Sequence, residues 1–157
     1  MSLVSSAQVF TNLECERLRN SIKNAGDDEI IVHLNKTEDD VWFDVVYEFI
    51  KKHNPLKLAI SSISGMSIIK PENGSDNLND LFTWSTSHLE TKLNFLINIS
   101  EADSFVVIVN AGAESQMRSL DKGACCVWPS FATSTIQIQT QDTSYAIYGT
   151  VIGKKLN

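Results

Sequence analysis

Four scarcities in this chain each close off a class of function. Cysteine is one: Cys15, Cys125 and Cys126 are an odd set. Neighbours on one strand point to opposite faces, so the vicinal pair is badly placed to bridge. Reduced thiols and a cytoplasmic location are the expectation. Positive charge is another: thirteen basic against nineteen acidic residues leave a formal charge of −6 and a pI near 5.0, and the longest basic cluster is Lys154-Lys155. Such a chain repels phosphate backbones and anionic lipid, so neither nucleic acid nor a membrane surface is expected as a partner. No apolar run approaches the roughly 20 residues that span a bilayer. The Met-Ser-Leu-Val-Ser-Ser start carries no basic and no apolar signal region, so export is not expected. Histidine is the fourth: His33, His53 and His88 are all there are, and none follows residue 88.

What is present is enough for a core. A length of 157 residues with 43% hydrophobic content predicts one globular domain over 1–157. Thr11 followed by Glu14 forms a capping box, apolar groups recur at Cys15, Leu18, Ile22 and Ala25, and Gly26 supplies a stop, so a helix is predicted over about 11–26. A second, over about 38–53, has Asp39 and Asp40 in its first turn and Lys51-Lys52-His53 in its last, as the helix dipole favours. Its broad apolar face holds Val41, Trp42, Val45, Val46, Phe49 and Ile50. A short strand is predicted at Glu29 to Leu34 between the two.

After Pro55 the period changes from 3.6 to 2 and holds over about 56–152. Strands are predicted at Leu56 to Ser64, Met66 to Lys70, Lys92 to Ser100, Phe105 to Ala111, Ala124 to Trp128, Thr135 to Gln141 and Ser144 to Ile152. The polar stretch 73–80 and the segment Ala111 to Lys122 read as loops. The fold class that follows is α+β: about seven to eight strands in a jelly roll, backed by two N-terminal helices.

The order of elements resembles the iron(II)- and 2-oxoglutarate-dependent dioxygenases near the prolyl hydroxylases, whose frame is the double-stranded β-helix. The resemblance is carried by Phe10-Thr-Asn-Leu-Glu-Cys15-Glu-Arg-Leu18, by Trp42 and Asn54 about the second helix, by Trp84-Ser85-Thr86-Ser87 followed by Lys92-Leu93-Asn94, and by Lys122-Gly123 with Pro129-Ser130-Phe131. It runs from Phe10 to Gly149. Within it, Ser85, Ser87 and Ser134 stand where two histidines and a carboxylate would bind iron, and Ser144 stands where an arginine would grip the distal carboxylate of oxoglutarate.

Neutral hydroxyls neither offset the charge of a metal nor replace a bidentate guanidinium. The resemblance with those losses therefore implies a catalytically inactive binding protein, not an enzyme, with no cofactor and no metal. Its emptied cleft would be lined by Trp84, Ser85, Ser87, Ser134, Ser144 and Trp128, and would hold a protein partner or a small polar ligand. The compact length resembles short dioxygenase-like proteins of large tailed bacteriophages, which implies an accessory role in the host cytoplasm. Two alternatives stand beside this reading. One is an active oxygenase with relocated ligands, using His88 and Glu90 as a displaced His-x-Glu pair, with Cys125, Cys126, Asp142 or His53 as the third. The other is a structural subunit of a larger assembly.

Overall fold

The computed structural model describes residues 4–26, 31–71, 90–102, 105–139 and 143–154. Its elements run β1 (Ser5–Gln8), α1 (Asn12–Ala25), β2 (Ile31–His33), α2 (Asp40–His53), β3 (Ala59–Ile69), β4 (Glu90–Asn98), β5 (Phe105–Ala111), β6 (Glu114–Leu120), β7 (Ala124–Pro129), β8 (Thr133–Ile138) and β9 (Ala146–Lys154). Six strands form one sheet in the order β1-β7-β4-β9-β3-β2, and three form a second in the order β6-β5-β8. Every pairing is antiparallel. This is the jelly-roll, double-stranded β-helix class, with nine strands among the described residues and two helices.

Both helices lie on one face of the larger sheet. The α1 capping box forms as the sequence predicts: the Glu14 amide donates to Thr11 Oγ1 at 3.2 Å, and the Thr11 amide donates to Glu14 Oε1 at 2.9 Å. Cys15, Leu18 and Ile22 of α1 and Phe43, Val46, Phe49 and Ile50 of α2 are buried against Leu93, Phe95, Ile97, Cys125, Val127, Ile147 and Val151 of the sheet. Burying each large apolar side chain of this kind contributes about 1.5–3 kcal/mol, so this layer is the chief source of stability. The second helix begins at Asp40 and not at about residue 38, because Asn35 claims the intervening backbone. Its Oδ1 accepts from the Thr37 and Glu38 amides, and its own amide donates to Asp39 Oδ2 at 2.8 Å.

Three strand assignments are corrected. The two strands predicted at Leu56 to Ser64 and Met66 to Lys70 are one, β3, whose ladder with β9 slips between Ile60 and Ser62 and again between Ile63 and Gly65. A β-bulge breaks the period without ending the strand. The segment Ala111 to Lys122, predicted as a loop, contains β6. Ala111 pairs with Glu114 across Gly112-Ala113, and Gly112 takes φ 60° as the first residue of a two-residue hairpin turn. The N-terminal strand β1, for which no strand is predicted, pairs with β7 from Ser5↔Val127 to Gln8↔Ala124.

The larger sheet also admits one close approach. Gly149 lies opposite Met66 and Phe95, and a Cβ there would strike the Phe95 ring and the Gly65 carbonyl. Glycine at this point lets a buried ring lie flat on the backbone.

Candidate site between the sheets

Because successive strand residues face opposite ways, the other face of the larger sheet meets the smaller sheet. Leu96, Cys126, Trp128, Ala146 and Tyr148 on one side, and Phe105, Val107, Val109 and Ile136 on the other, form a second buried cluster. Polar residues are set into this layer. Trp128 and Thr150 are the cross-strand neighbours of Asn94 on either side, so the three make one row across β7, β4 and β9. All three are buried. Past Pro129 the chain turns, with the Ala132 amide donating to the Pro129 carbonyl at 3.1 Å, and enters β8 of the smaller sheet. There Ser134, opposite Val109 and sharing a face with Ile136, is buried as well.

Ser144 comes just before the opposite end of β9. Its neighbour Tyr145 is pinned: the Tyr145 amide donates to Ser100 Oγ at 2.8 Å, Ser100 Oγ donates to the Tyr145 carbonyl at 3.0 Å, and the Ile99 amide donates there too at 3.1 Å. Tyr145 packs against the helix-side cluster. The period-2 alternation that puts Ala146 and Tyr148 between the sheets therefore assigns buried Ser144 to the same side.

Trp128 Nε1, Ser134 Oγ, Ser144 Oγ and Thr150 Oγ1 are buried and have no hydrogen-bond partner among the described residues. Buried polar groups in native proteins are nearly always paired, and each left unpaired costs about 1–3 kcal/mol. Four such atoms lie in this layer. By contrast, Asn98 in the same layer is satisfied, with Nδ2 donating to the carbonyls of Ala102 at 3.1 Å and Leu120 at 2.9 Å and Oδ1 accepting from Ser100 at 2.9 Å. It ties the two sheets together.

Of the residues that the sequence reading placed in the cleft, the structure brings Ser134 and Trp128 to one end of the inter-sheet space and Ser144 to the other. Trp84, Ser85, Ser87, His88 and the third-ligand candidate Asp142 lie outside the described residues. Glu90 is the first residue of β4, opposite Lys154; its side chain is not described. Thr150 was not among the predicted site residues, though its place in an alternating strand after Tyr148 was the available signal.

The iron position implied by the resemblance does not fit the side chains found. Ser134 offers a neutral hydroxyl, and no group of three His, Cys, Asp or Glu among the described residues could hold a metal ion. The third-ligand candidates within the described residues, Cys125, Cys126 and His53, fare poorly. Cys125 is buried on the helix side and Cys126 between the sheets, and burial pushes the Cys126 thiol up to about 12, although the Arg118 charge acts the other way. Burial also raises the Cys125 thiol well above its ordinary value. His53 stacks on Phe49 at 4.5 Å at the end of α2, away from this space. His33 Nδ1 lies 2.6 Å from Ser67 Oγ at the β2 edge. Among the described residues no helix is long and apolar enough to cross a membrane.

Comparison with known proteins places the fold. The chain matches a Pseudomonas putida prolyl-4-hydroxylase with a TM-score of 0.64 at 9% identity, covering 98% of this chain and 94% of that one. It matches the viral collagen prolyl hydroxylase of Paramecium Bursaria Chlorella virus-1, in its 2OG complex, with a TM-score of 0.61 at 9% identity and 96% coverage of both chains. HygX from Streptomyces hygroscopicus with iron bound gives a TM-score of 0.65 at 9% identity, covering 99% of this chain and 83% of that one. No protein-family model and no curated sequence matches the chain. The expectation that the chain is not an enzyme is corrected by these neighbours. The frame it shares is a hydroxylase's in two of them, and holds 2OG in one and iron in another.

Proposed function

We propose that this chain is an oxygenase of the iron and 2-oxo-acid kind whose metal ligands have been relocated. The observation that carries the reading is the set of four buried polar atoms, without a hydrogen-bond partner among the described residues, in the space between the sheets of an oxygenase fold. A frame kept only for stability gains nothing from them, whereas a frame that receives a polar substrate or co-substrate does. Ser134 is excluded as a ligand by its chemistry, which leaves His88 and Glu90 as the candidate pair. The position of Glu90 at the start of β4, four residues before Asn94 in the polar row, favours this assignment. Metal bound there would supply oxygen activation; the residues of the polar row would hold and orient the organic ligand beside it.

The test is anaerobic titration of the full chain with Fe(II). One equivalent bound by the wild type, and loss of that binding in His88→Ala, is the expected result. A wild-type protein that binds no Fe(II) overturns the assignment.

A further inference from the structure

We propose that this chain pairs with a second copy of itself along the edge of the smaller sheet, β6 lying antiparallel to the partner's β6 with Gln116 opposite Gln116. This interface uses none of the residues of the polar row and holds whether or not metal binds.

β6 is the last strand in the order β6-β5-β8, and among the described residues no strand pairs with its outer edge. A bare edge is a template for another strand. Which backbone groups face outward follows from the hairpin. Ala111 and Glu114 close its two-residue turn, so they form a hydrogen-bonded pair, and such pairs alternate along the ladder. Glu114, Gln116, Arg118 and Leu120 therefore spend their backbone groups on β5, while Ser115, Met117 and Ser119 turn theirs outward. The Arg118 guanidinium agrees with this parity: its Nη1 donates to the Met117 carbonyl at 3.0 Å.

Side chains then select the occupant and the register. Glu114 is exposed and Arg118 half-buried, and neither has an ion-pair partner among the described residues. They lie four residues apart, so alternation puts them on one face of the strand, that of buried Leu120. With Gln116 opposite Gln116, Glu114 of each copy faces Arg118 of the other, and Ser115 and Met117 exchange backbone bonds. Sliding the strands to put Met117 opposite Met117, or Ser115 opposite Ser115, pairs neither charge with the other. A further slide sets Arg118 against Arg118 or Glu114 against Glu114, which repel. One register is thus self-complementary, as an isologous two-fold contact requires. The two Glu–Arg pairs fall at non-hydrogen-bonded positions, where facing side chains are closest. On pairing, each Arg118 exchanges the Met117 carbonyl for the partner's Glu114, and that carbonyl accepts from the partner's Ser115 amide. Met117, 61% exposed in the single chain, then lies diagonally against the partner's Met117 on the outer face.

The experiment is sedimentation velocity of the full chain at low salt over a range of concentrations, for the wild type, Arg118→Glu, Glu114→Arg, and an equal mixture of the two variants. The wild type should associate reversibly to twice the 17.5 kDa of one chain. Each reversal should weaken the dimer about tenfold or more, since it turns two attractive pairs into two repulsive ones. The mixture should restore it, because a chain with two carboxylates then faces a chain with two guanidinium groups; restoration also shows that both variants are folded. A wild type that stays monomeric, a dimer indifferent to either reversal, or a mixture no stronger than its components overturns the inference. None of these readings depends on Fe(II), so failure here is seen apart from failure of the oxygenase assignment.

Discussion

The two faces of the six-stranded sheet are buried to the same degree and built on opposite plans. Toward the helices, Leu93, Phe95, Ile97, Val127, Ile147 and Val151 present only hydrocarbon. Toward the smaller sheet, the same strands present Asn94, Trp128 and Thr150, with Ser134 across from them, and three of those four carry a polar atom with no hydrogen-bond partner among the described residues. The strands are shared, so backbone geometry cannot account for the difference. It lies in the side chains, and it separates an all-hydrocarbon face from a face into which polar groups are set; on the function proposed above, the second face gives up some stability to receive a ligand.

The sharpest way to break this comparison is to truncate each face in turn. Phe95→Ala removes a fully buried ring from the helix side, whose place is fixed by Gly149 beneath it, and should cost about 3–5 kcal/mol in urea unfolding. Thr150→Val removes a buried hydroxyl that has no partner among the described residues from the other side at nearly constant shape. It should stabilise the free protein by up to about 1–2 kcal/mol while weakening binding of the 2-oxo acid. If Thr150→Val instead destabilises, the hydroxyl is already satisfied and the two faces are alike.

The smallest effect is one the faces share. Cys125 on the helix side and Cys126 between the sheets both have thiols raised by burial, Cys126 to about 12 from an ordinary 9.0. Folding therefore favours the protonated form of each. Their contribution to stability is complete below pH 9 and is lost as pH rises toward 12, because the unfolded chain releases these protons first. Unfolding free energy should be flat in this respect from pH 6 to 8 and fall above pH 9, and Cys126→Ala should blunt the fall. Ellman's reagent should correspondingly find no reactive thiol in the native protein and three after unfolding.

Much of the frame was legible in the residues. The capping box at Thr11 and Glu14, the acid-first and base-last second helix, and the Leu93-Phe95-Ile97 alternation each correspond to an element found in the structure. What was missed has physical causes. The β6 strand, Glu-Ser-Gln-Met-Arg-Ser-Leu, is polar because it lies at a sheet edge, and polar composition reads as loop. The bulges in β3 break its period and so make one strand look like two. At the site, the serines at 134 and 144 were legible as departures from a resemblance. That they are buried with no hydrogen-bond partner among the described residues, and that Thr150 joins them, depends on contacts between distant strands that no local pattern encodes.

Two tryptophans report separately on the two faces. Trp42 packs edge-on against Phe10 at 5.6 Å on the helix side, and Trp128 lies between the sheets, its indole nitrogen without a hydrogen-bond partner among the described residues. The most direct test of the account is a heteronuclear spectrum of the indole N–H groups, assigned with Trp42→Phe and Trp128→Phe, recorded through a titration with 2-oxoglutarate. The Trp128 resonance should move and saturate while that of Trp42 stays in place. A Trp128 resonance unmoved at saturating ligand, or one that moves no more than Trp42, would contradict the claim that the space between the sheets is a binding site.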